Sequence, residues 1–403
     1  MEHRLGYRLA LGLALGLALR WAAPARADGC KADPSTKFFP IPVWSTSPNE
    51  GNTWGVMPVF LHVCPTDQRT MWILAPSVTY NSVIHYTGTV RLYDYVDPDT
   101  TFTLVGSAST RINYNLLALW QRLPIGDGSQ TDEAMVRMVR TAFVRFYGLG
   151  FDTPASAETT YTLQRELASE RHGWNLGNHI NFGITAGIER DAIEDRGVPG
   201  LPLAPEVFST APGMGGSTVA WQGIDLRYDD RVGRDFAERG VRLALNSEIV
   251  EGVSGSPSFY RGGAEARGVL PELSWLSGAG RAEWSAVSSS NVPFYLQSQL
   301  GGSFLLRGYD EGRFIDRQAW TVEAEQRIRV AQLRLFGVIA DLRLDPFVTA
   351  GQVFNTVDHA LSHPATAVGV GLRAFVHPST VGRVDIATGS EGVKVYVEIG
   401  YPY

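Results

Sequence analysis

The last residues of the chain, VKVYVEIGYPY (393–403), alternate strictly between two kinds of side chain. The apolar set is Val393, Val395, Val397, Ile399, Tyr401 and Tyr403, and the other set is Lys394, Tyr396, Glu398, Gly400 and Pro402. A period of two with one apolar face predicts a half-exposed β-strand. A final strand that ends on an aromatic residue is typical of a transmembrane β-barrel, whose strands alternate between lipid-facing and lumen-facing residues. The alternative is a C-terminal edge strand of a soluble β-sandwich.

The opposite end of the chain has the features of a secretory signal peptide. Arg4 and Arg8 open an apolar run from Leu9 to Leu19, and Ala25-Arg26-Ala27 forms a cleavage signal. The run is shorter than the roughly 20 residues that a membrane-spanning helix needs, and the cleavage signal argues against an uncleaved anchor. We therefore expect residues 1–27 to be a signal peptide and the chain to be exported.

Strand-like segments separated by turn clusters recur along the rest of the chain. In AWTVEAEQRIRV (319–330), Glu323 and Glu325 lie on the polar face of a nearly strict alternation. Alternation alone does not separate a barrel from a sandwich, but the signal peptide, the aromatic terminus and the length favour the barrel. The predicted fold class is all-β, a transmembrane antiparallel β-barrel over residues 53–403. At about 22 residues per strand and connection, that range holds roughly 16 strands.

The segment before this range, residues 28–52, is too short and too rich in proline to form a domain. We expect it to be a short periplasmic leader or a segment that tucks into the lumen. Cys30 and Cys64 are the only cysteines of the chain. Export permits a disulfide that ties the leader to the first strand, and two unrelated thiols are the alternative.

Composition argues against several classes of function. The net charge is −6 and charged residues make up 19% of the chain, whereas a nucleic-acid-binding protein needs a basic balance. No Gly-x-Ser-x-Gly or His-Glu-x-x-His motif occurs, and the eight histidines are scattered. We therefore expect no enzyme activity, no cofactor, no metal site and no nucleic-acid partner.

The stretch GSFLLRGYDEGRF (302–314) combines strand-like apolar residues with four charged ones. Its core, Leu306-Arg307-Gly308-Tyr309, resembles the signature tetrapeptide of the BamA/TamA-type outer-membrane barrels, also called the bacterial surface antigen family. Further segments resemble that family in the expected order. They are FYGLGFDT (146–153), WQGIDLRYDDRVGRDFAERG (221–240), VEAEQRIRV (322–330), and the terminal strands VGVGLRAFV (368–376) and GRVDIATGSEGVKVYVEIGYPY (382–403).

The resemblance implies that the tetrapeptide lies in a long sixth extracellular loop that folds back into the lumen. There Arg307 would pair with Glu325, or as second choice with Glu323, because an unpaired buried charge is costly. Gly308 would allow a sharp bend and Tyr309 would pack on the wall. The alternative is that Arg307 stays solvated in an ordinary loop.

The sequence departs from the family in two places. Thr349 stands where members usually have an aspartate, which removes one expected acidic partner of Arg307. Typical family members also carry periplasmic POTRA domains ahead of the barrel. We expect none in this sequence, which weakens an inference of insertase activity.

For function, the resemblance implies a bacterial outer-membrane barrel that assists the insertion or export of proteins. Its expected partners are outer-membrane lipids, and either unfolded client proteins or a periplasmic partner supplied in trans. The alternative is a passive channel or structural barrel that kept the fold without insertase activity.

Overall fold

The structure of the chain, a computed structural model, describes residues 30, 33–65, 70–124, 127–232, 237–335, 338–376 and 380–399. Nearly all regular structure in these ranges is β, and every strand pairing is antiparallel. Predicted strands thus form as the period-two pattern indicates. The strands are β1 Ser35–Ser47, β2 Gly51–Val63, β3 Thr70–Leu74, β4 Ser77–Asn81, β5 His85–Tyr95, β6 Thr100–Ser109, β7 Tyr114–Arg122, β8 Gln130–Phe146, β9 Thr159–Asn175, β10 Ile180–Glu194, β11 Ser217–Asp229, β12 Gly240–Ser254, β13 Phe259–Leu273, β14 Leu276–Val287, β15 Ser298–Leu300, β16 Phe314–Asp316, β17 Gln318–Leu335, β18 Val338–Phe354, β19 Ala365–Val376, β20 Thr380–Gly389 and β21 Gly392–Ile399.

The main sheet closes into a barrel, as predicted, but with 18 strand positions rather than about 16. Each strand pairs with its neighbour along the chain, and β21 returns to β1. The short strands β3 and β4 both lie between β2 and β5, so they form one interrupted strand. Pro58 on β2 and Pro76 between the two pieces lie at the interruption. A proline has no N–H to donate to the hydrogen-bond ladder, which accounts for the break in pairing.

The first strand corrects the predicted boundary between leader and barrel. β1 lies within residues 28–52, which were expected to precede the barrel, yet it pairs with β2 along all of its 13 residues. Its prolines, Pro40 and Pro42, are the reason that the sequence does not predict a strand here. Proline is tolerated in a strand only at an edge or where no ladder hydrogen bond is needed.

The two prolines also show which way the polar groups of β1 point. Pro40 lies directly opposite Pro58 of β2, and two facing prolines cannot exchange hydrogen bonds. The pair must therefore be of the non-hydrogen-bonded kind, in which main-chain groups point away from the partner strand. Since Pro42 has the same parity, both prolines remove a donor from the edge of β1 that faces β21.

The junction of β1 with β21, which we call the seam, has the fewest strand pairs of the wall among the residues that the structure describes. Among the described residues these strands share one pair, Thr46 opposite Val397. By comparison, β20 and β21 pair at eight positions, from Gly382 with Ile399 to Gly389 with Gly392. Within the described residues, β1 and β21 are therefore joined at a single position.

The two faces of the wall follow the alternation of the sequence. Outward residues such as Val322, Val368 and Ile386 are exposed, whereas the alternating Glu323, Thr349 and other polar side chains are buried inside. Trp44 and Trp54 stack on the outer face with 5.4 Å between their centroids. An apolar outer face over a polar interior is the arrangement of a membrane barrel.

The connections at the two ends of the barrel differ in length. Connections 147–158, 195–216, 288–317 and 355–364 lie at one end, and they contain a single-turn α-helix, Ala204–Val207, and 3₁₀ turns at Ala155–Ala157, Phe294–Leu296 and Val357–His359. Longer loops face the cell exterior in such barrels. Connection 288–317 is the seventh at this end, not the sixth as expected, because additional strands precede it. No helix in the described ranges is long and apolar enough to cross a bilayer.

An apolar cluster fills the lumen at the long-loop end, on the side of β8 to β14. Its members are buried side chains of these strands and of connections 195–216 and 288–317: Phe146, Tyr161, Leu163, Ala204, Val219, Trp221, Val250, Phe259, Val287, Val292, Phe294, Tyr295, Leu296 and Ile315. The two connections contact each other directly, since the Phe294 N–H donates to the Pro212 carbonyl at 2.9 Å. This half of the lumen is therefore packed rather than open.

Candidate functional site

Residues 301–313 form the returning segment, which lies against the inward-facing side chains of the wall. The short strands β15 and β16 pair at its base, and its backbone takes left-handed conformations at Leu306 (φ 56°) and Gly308 (φ 114°). A non-glycine residue with positive φ is strained and persists only where its surroundings hold it. Leu306 is buried at 1% exposure in a cluster that includes Tyr309 and Phe314.

Arg307 is the centre of this segment's contacts, and none of its side chain is exposed. Its Nε and Nη2 donate to the two Glu323 oxygens at 3.0 and 2.7 Å, which is a bidentate pair. Nη2 also donates to Glu325 at 3.0 Å, and Nη1 to Asp385 at 3.3 Å. The guanidinium stacks on Phe347, 3.4 Å from the ring centroid. The ranking made from the sequence is thereby reversed, since Glu323 receives two hydrogen bonds and Glu325 one.

Other arginines balance the carboxylates around Arg307. Arg327 contacts Glu325 at 3.0 Å, and Arg373 contacts Asp385 at 2.6 Å and Asp345 at 3.6 Å. Arg383 contacts Asp385 at 3.1 Å. Four buried arginines thus face four buried carboxylates, which together we call the charge cluster: Arg307, Arg327, Arg373, Arg383, Glu323, Glu325, Asp345 and Asp385. Burial of this many charges is sustainable only because each has a partner.

Sequence reasoning missed Asp385, Arg373 and Arg383. The signal was present, because Arg383 and Asp385 alternate with the apolar Val384 and Ile386. Thr349, at the departed family position, lies opposite Glu323 and donates to the Val322 carbonyl at 3.2 Å. The third carboxylate around Arg307 therefore comes from β20, two strands beyond the β18 position where the aspartate was expected.

The rest of the tetrapeptide is held by the last strand and its turn. Gly308 approaches the wall so closely that an added Cβ would lie 2.7 Å from the Ala367 Cβ. The Tyr396 hydroxyl donates to the Tyr309 carbonyl at 2.8 Å and accepts from the Gly308 N–H at 3.3 Å. Tyr309 itself donates to the Thr366 carbonyl at 3.1 Å. The segment is thus tied to β19 and β21 as well as to β17.

Asp310 and Arg313, two further charged residues of the stretch, also have partners. Asp310 accepts from Lys394 at 2.6 Å and from the Tyr147 hydroxyl at 3.0 Å. Arg313 donates to Glu391 at 2.7 Å and to Thr153 at 2.6 and 3.0 Å. Burial, and then the neighbouring Glu398, raise the pKa of Glu311. None of these contacts resembles a solvated loop.

The other residues singled out in the sequence lie away from the charge cluster. Cys30 and Cys64 are joined by a disulfide with 5.6 Å between their Cα atoms. Ile399 ends β21, whereas Tyr401 and Tyr403, like the signal peptide over residues 1–27, lie outside the described residues.

A cavity of about 1080 Å³ lies beside the seam, below the returning segment. Its wall combines residues of the first hairpin, such as Ile41 and Glu50, with Glu311 of the segment and Glu398 of β21. Within the described ranges, no group of three histidine, cysteine or acidic residues is placed to hold a metal ion.

Comparison with known proteins agrees with this geometry. The Omp85 superfamily domain matches residues 154–388, more than half of the chain. The fold is similar to BamA from Haemophilus ducreyi lacking POTRA domains 1–3, with a TM-score of 0.54 and 14% identity over 90% of this chain and 75% of that one. It is also similar to CdiB from Escherichia coli, with a TM-score of 0.50 and 11% identity over 90% of this chain and 62% of that one. No curated protein matches the sequence.

Proposed function

The chain belongs to the Omp85 superfamily and is a bacterial outer-membrane β-barrel, and from this premise we propose that it assists the insertion or export of proteins at that membrane. The partners would be outer-membrane lipids and unfolded client proteins, with recognition supplied by a periplasmic partner where one is needed. In this proposal the seam between β1 and β21 opens toward lipid, and the returning segment keeps the remaining wall in shape.

One observation carries the proposal, the contrast between a proline-bearing strand edge at the seam and a strongly held interior. The seam has one strand pair among the described residues, and two prolines remove donors from its β1 edge. In contrast, Arg307 makes four hydrogen bonds inside the wall. A barrel that only has to persist gains from closing its edges fully, so prolines on the closing strand of a wall that is braced this well from inside favour a part that moves.

The lumen geometry supports a transport or assembly role over the alternative of a passive channel. The long-loop end is packed by the apolar cluster, and the middle is occupied by the returning segment. The cavity of about 1080 Å³ lies next to the seam. An extended client segment could lie there beside the opening strands and pair with them by strand addition.

Reconstitution into liposomes tests the proposal. The purified barrel would be placed in vesicles, and the folding of an added unfolded outer-membrane protein would be followed by its resistance to protease. We expect faster insertion than in vesicles that lack the barrel or that hold an unrelated porin. Ion conductance with no acceleration of insertion would replace the proposal by the passive-channel alternative.

A further inference from the structure

Asn49 lies in the turn between β1 and β2, which is the hairpin that forms one side of the seam. Its side chain is only 6% exposed. Oδ1 accepts from the Glu311 N–H at 3.1 Å, and Nδ2 donates back to the Glu311 carbonyl at 3.1 Å. The amide thus binds both main-chain groups of one residue in the returning segment. Nδ2 also donates to the Phe143 carbonyl of β8 at 3.3 Å.

A buried arginine strengthens the same contact from the far side. Arg145 of β8 donates to the Asn49 carbonyl at 2.8 Å and is itself fixed by Glu158 at 2.9 Å. The turn is therefore attached to residues that lie 94 and 262 positions further along the chain. By contrast, its bond from Asn81, which donates to the Glu50 carbonyl at 2.9 Å, comes from neighbouring β4.

These contacts matter because they reach the first hairpin from elements other than its neighbour across the seam. Across the seam, β1 has one described pair with β21, and Pro40 and Pro42 cannot donate toward it. The inner contacts of Asn49 include three side-chain hydrogen bonds and one main-chain bond, all to parts of the barrel other than β21. The turn of the first hairpin is therefore fixed from inside the lumen, independently of β21.

We infer that Asn49 is a clasp that couples the returning segment to the seam, so that the first hairpin swings outward only when the bonds between Asn49 and Glu311 are released. The clasp gives the segment a second role beyond bracing the wall through Arg307. A client or partner that displaces Glu311 from Asn49 would free the hairpin without disturbing the charge cluster. The regulatory meaning rests on the proposed function, whereas the mechanical claim does not.

Cysteine cross-linking across the seam tests the clasp. Thr46 and Val397 are opposite one another, at a separation that a disulfide can bridge. The full chain with Thr46→Cys and Val397→Cys would be reconstituted in liposomes, and the rate of disulfide formation under a fixed oxidant would be measured. Each buried hydrogen bond contributes roughly 0.5–1.5 kcal/mol, so adding Asn49→Ala should shift the open-to-closed ratio of the seam about tenfold toward the open state. Cross-linking slows by the factor by which the closed fraction falls, with about tenfold as the upper limit. Asn49→Asp, which keeps only the bond from the Glu311 N–H, should slow it less.

Asn175→Ala is the matched control, because it removes the same kind of side chain at the opposite end of the barrel. Asn175 donates to the Pro124 carbonyl and to Ser129 at 2.8 and 2.7 Å, far along the wall from the seam. We expect its cross-linking rate to stay at the starting value. An unchanged rate in Asn49→Ala, or an equal slowing in Asn175→Ala, would overturn the clasp.

Heat-dependent gel migration confirms that each variant is folded before the rates are compared. The insertion of a client would be measured in the same vesicles. Slower cross-linking in Asn49→Ala with no insertion by any variant would leave the clasp standing and remove the proposed function. Insertion by all variants at one rate, with unchanged cross-linking, would do the opposite.

Discussion

Replacing Arg307 by alanine should destabilise the barrel through one particular carboxylate. Glu325 would keep Arg327 at 3.0 Å, and Asp385 would keep Arg373 at 2.6 Å. Glu323 is different, because Arg307 is the only cation within ion-pair distance of it among the residues that the structure describes. Arg307→Ala would therefore leave Glu323 as a buried, unpaired charge.

The size of the effect follows from that arrangement. Removing one partner of a buried ion pair typically costs about 3–5 kcal/mol, because the remaining charge is uncompensated. The stacking of the guanidinium on Phe347 is lost as well. Part of this cost should return when Glu323 is neutralised. Arg307→Ala with Glu323→Gln should regain roughly 1–3 kcal/mol, whereas Arg307→Ala with Glu325→Gln should not, since it removes a carboxylate that Arg327 contacts at 3.0 Å and still leaves Glu323 charged without Arg307.

The assay is the temperature at which the folded, fast-migrating band disappears on a gel, together with a denaturant titration in detergent for the free energy. We expect the unfolding temperature and the free energy of unfolding to be highest for the wild type, lower for Arg307→Ala with Glu323→Gln, and lowest for Arg307→Ala. If Arg307→Ala unfolds like the wild type, or if Glu325→Gln rescues as well as Glu323→Gln, the account of the charge cluster is wrong.

Other predictions concern the segment, the seam and the first turn. Gly308→Ala should lower the free energy of unfolding by about 1–3 kcal/mol. The loss should be larger than that of Gly392→Ala, because Gly392 has a similar positive φ but nothing within 4 Å of its added Cβ. Equal losses in a denaturant titration would mean that the contact with Ala367 is unimportant. Pro40→Val with Pro42→Val should restore donors at the seam and raise the unfolding temperature, and a lower temperature would show that the prolines do not face β21. Burial by surrounding protein, followed by Glu311 and Glu398, raises the pKa of Glu50 from 4.5 to about 7. The stabilisation linked to its proton is then full below pH 4.5 and is lost as pH rises through 7, so Glu50→Gln should unfold like the wild type at pH 4 and at a higher temperature at pH 8. A pH-independent difference would show that Glu50 is hydrated through the cavity.

The sequence predicted the barrel because alternation is a local property. In β17 and β21 the polarity of each residue indicates whether its side chain lies on the inner or the outer face of the sheet, and the burial pattern follows this alternation. The prediction failed where proline suppresses that signal. β1 contains Pro40 and Pro42, which read as a leader, although a strand at the seam does not need their N–H groups. The overlooked β1 accounts for one of the two uncounted strands, and the other follows from the assumed spacing of about 22 residues per strand and connection, which is longer than the actual one.

The site was predictable only as far as parity and family resemblance reach. Parity places Glu323 and Glu325 on the inner face, but it does not decide which of them meets Arg307. That choice depends on where the returning segment enters the lumen. Asp385 and Asn49 could not be assigned, because they reach the segment from strands that are distant in the chain and adjacent only after the barrel closes.

The central claim, that proteins are handled at an opening seam, is tested most directly by locking that seam. The Thr46→Cys, Val397→Cys chain would be reconstituted in liposomes, and client insertion measured after oxidation and again after reduction. The wild type under the same treatments controls for the native Cys30–Cys64 disulfide. We predict that insertion is accelerated in the reduced state, falls to the rate of empty vesicles on oxidation and returns on reduction. Acceleration that persists in the fully cross-linked barrel would contradict the account.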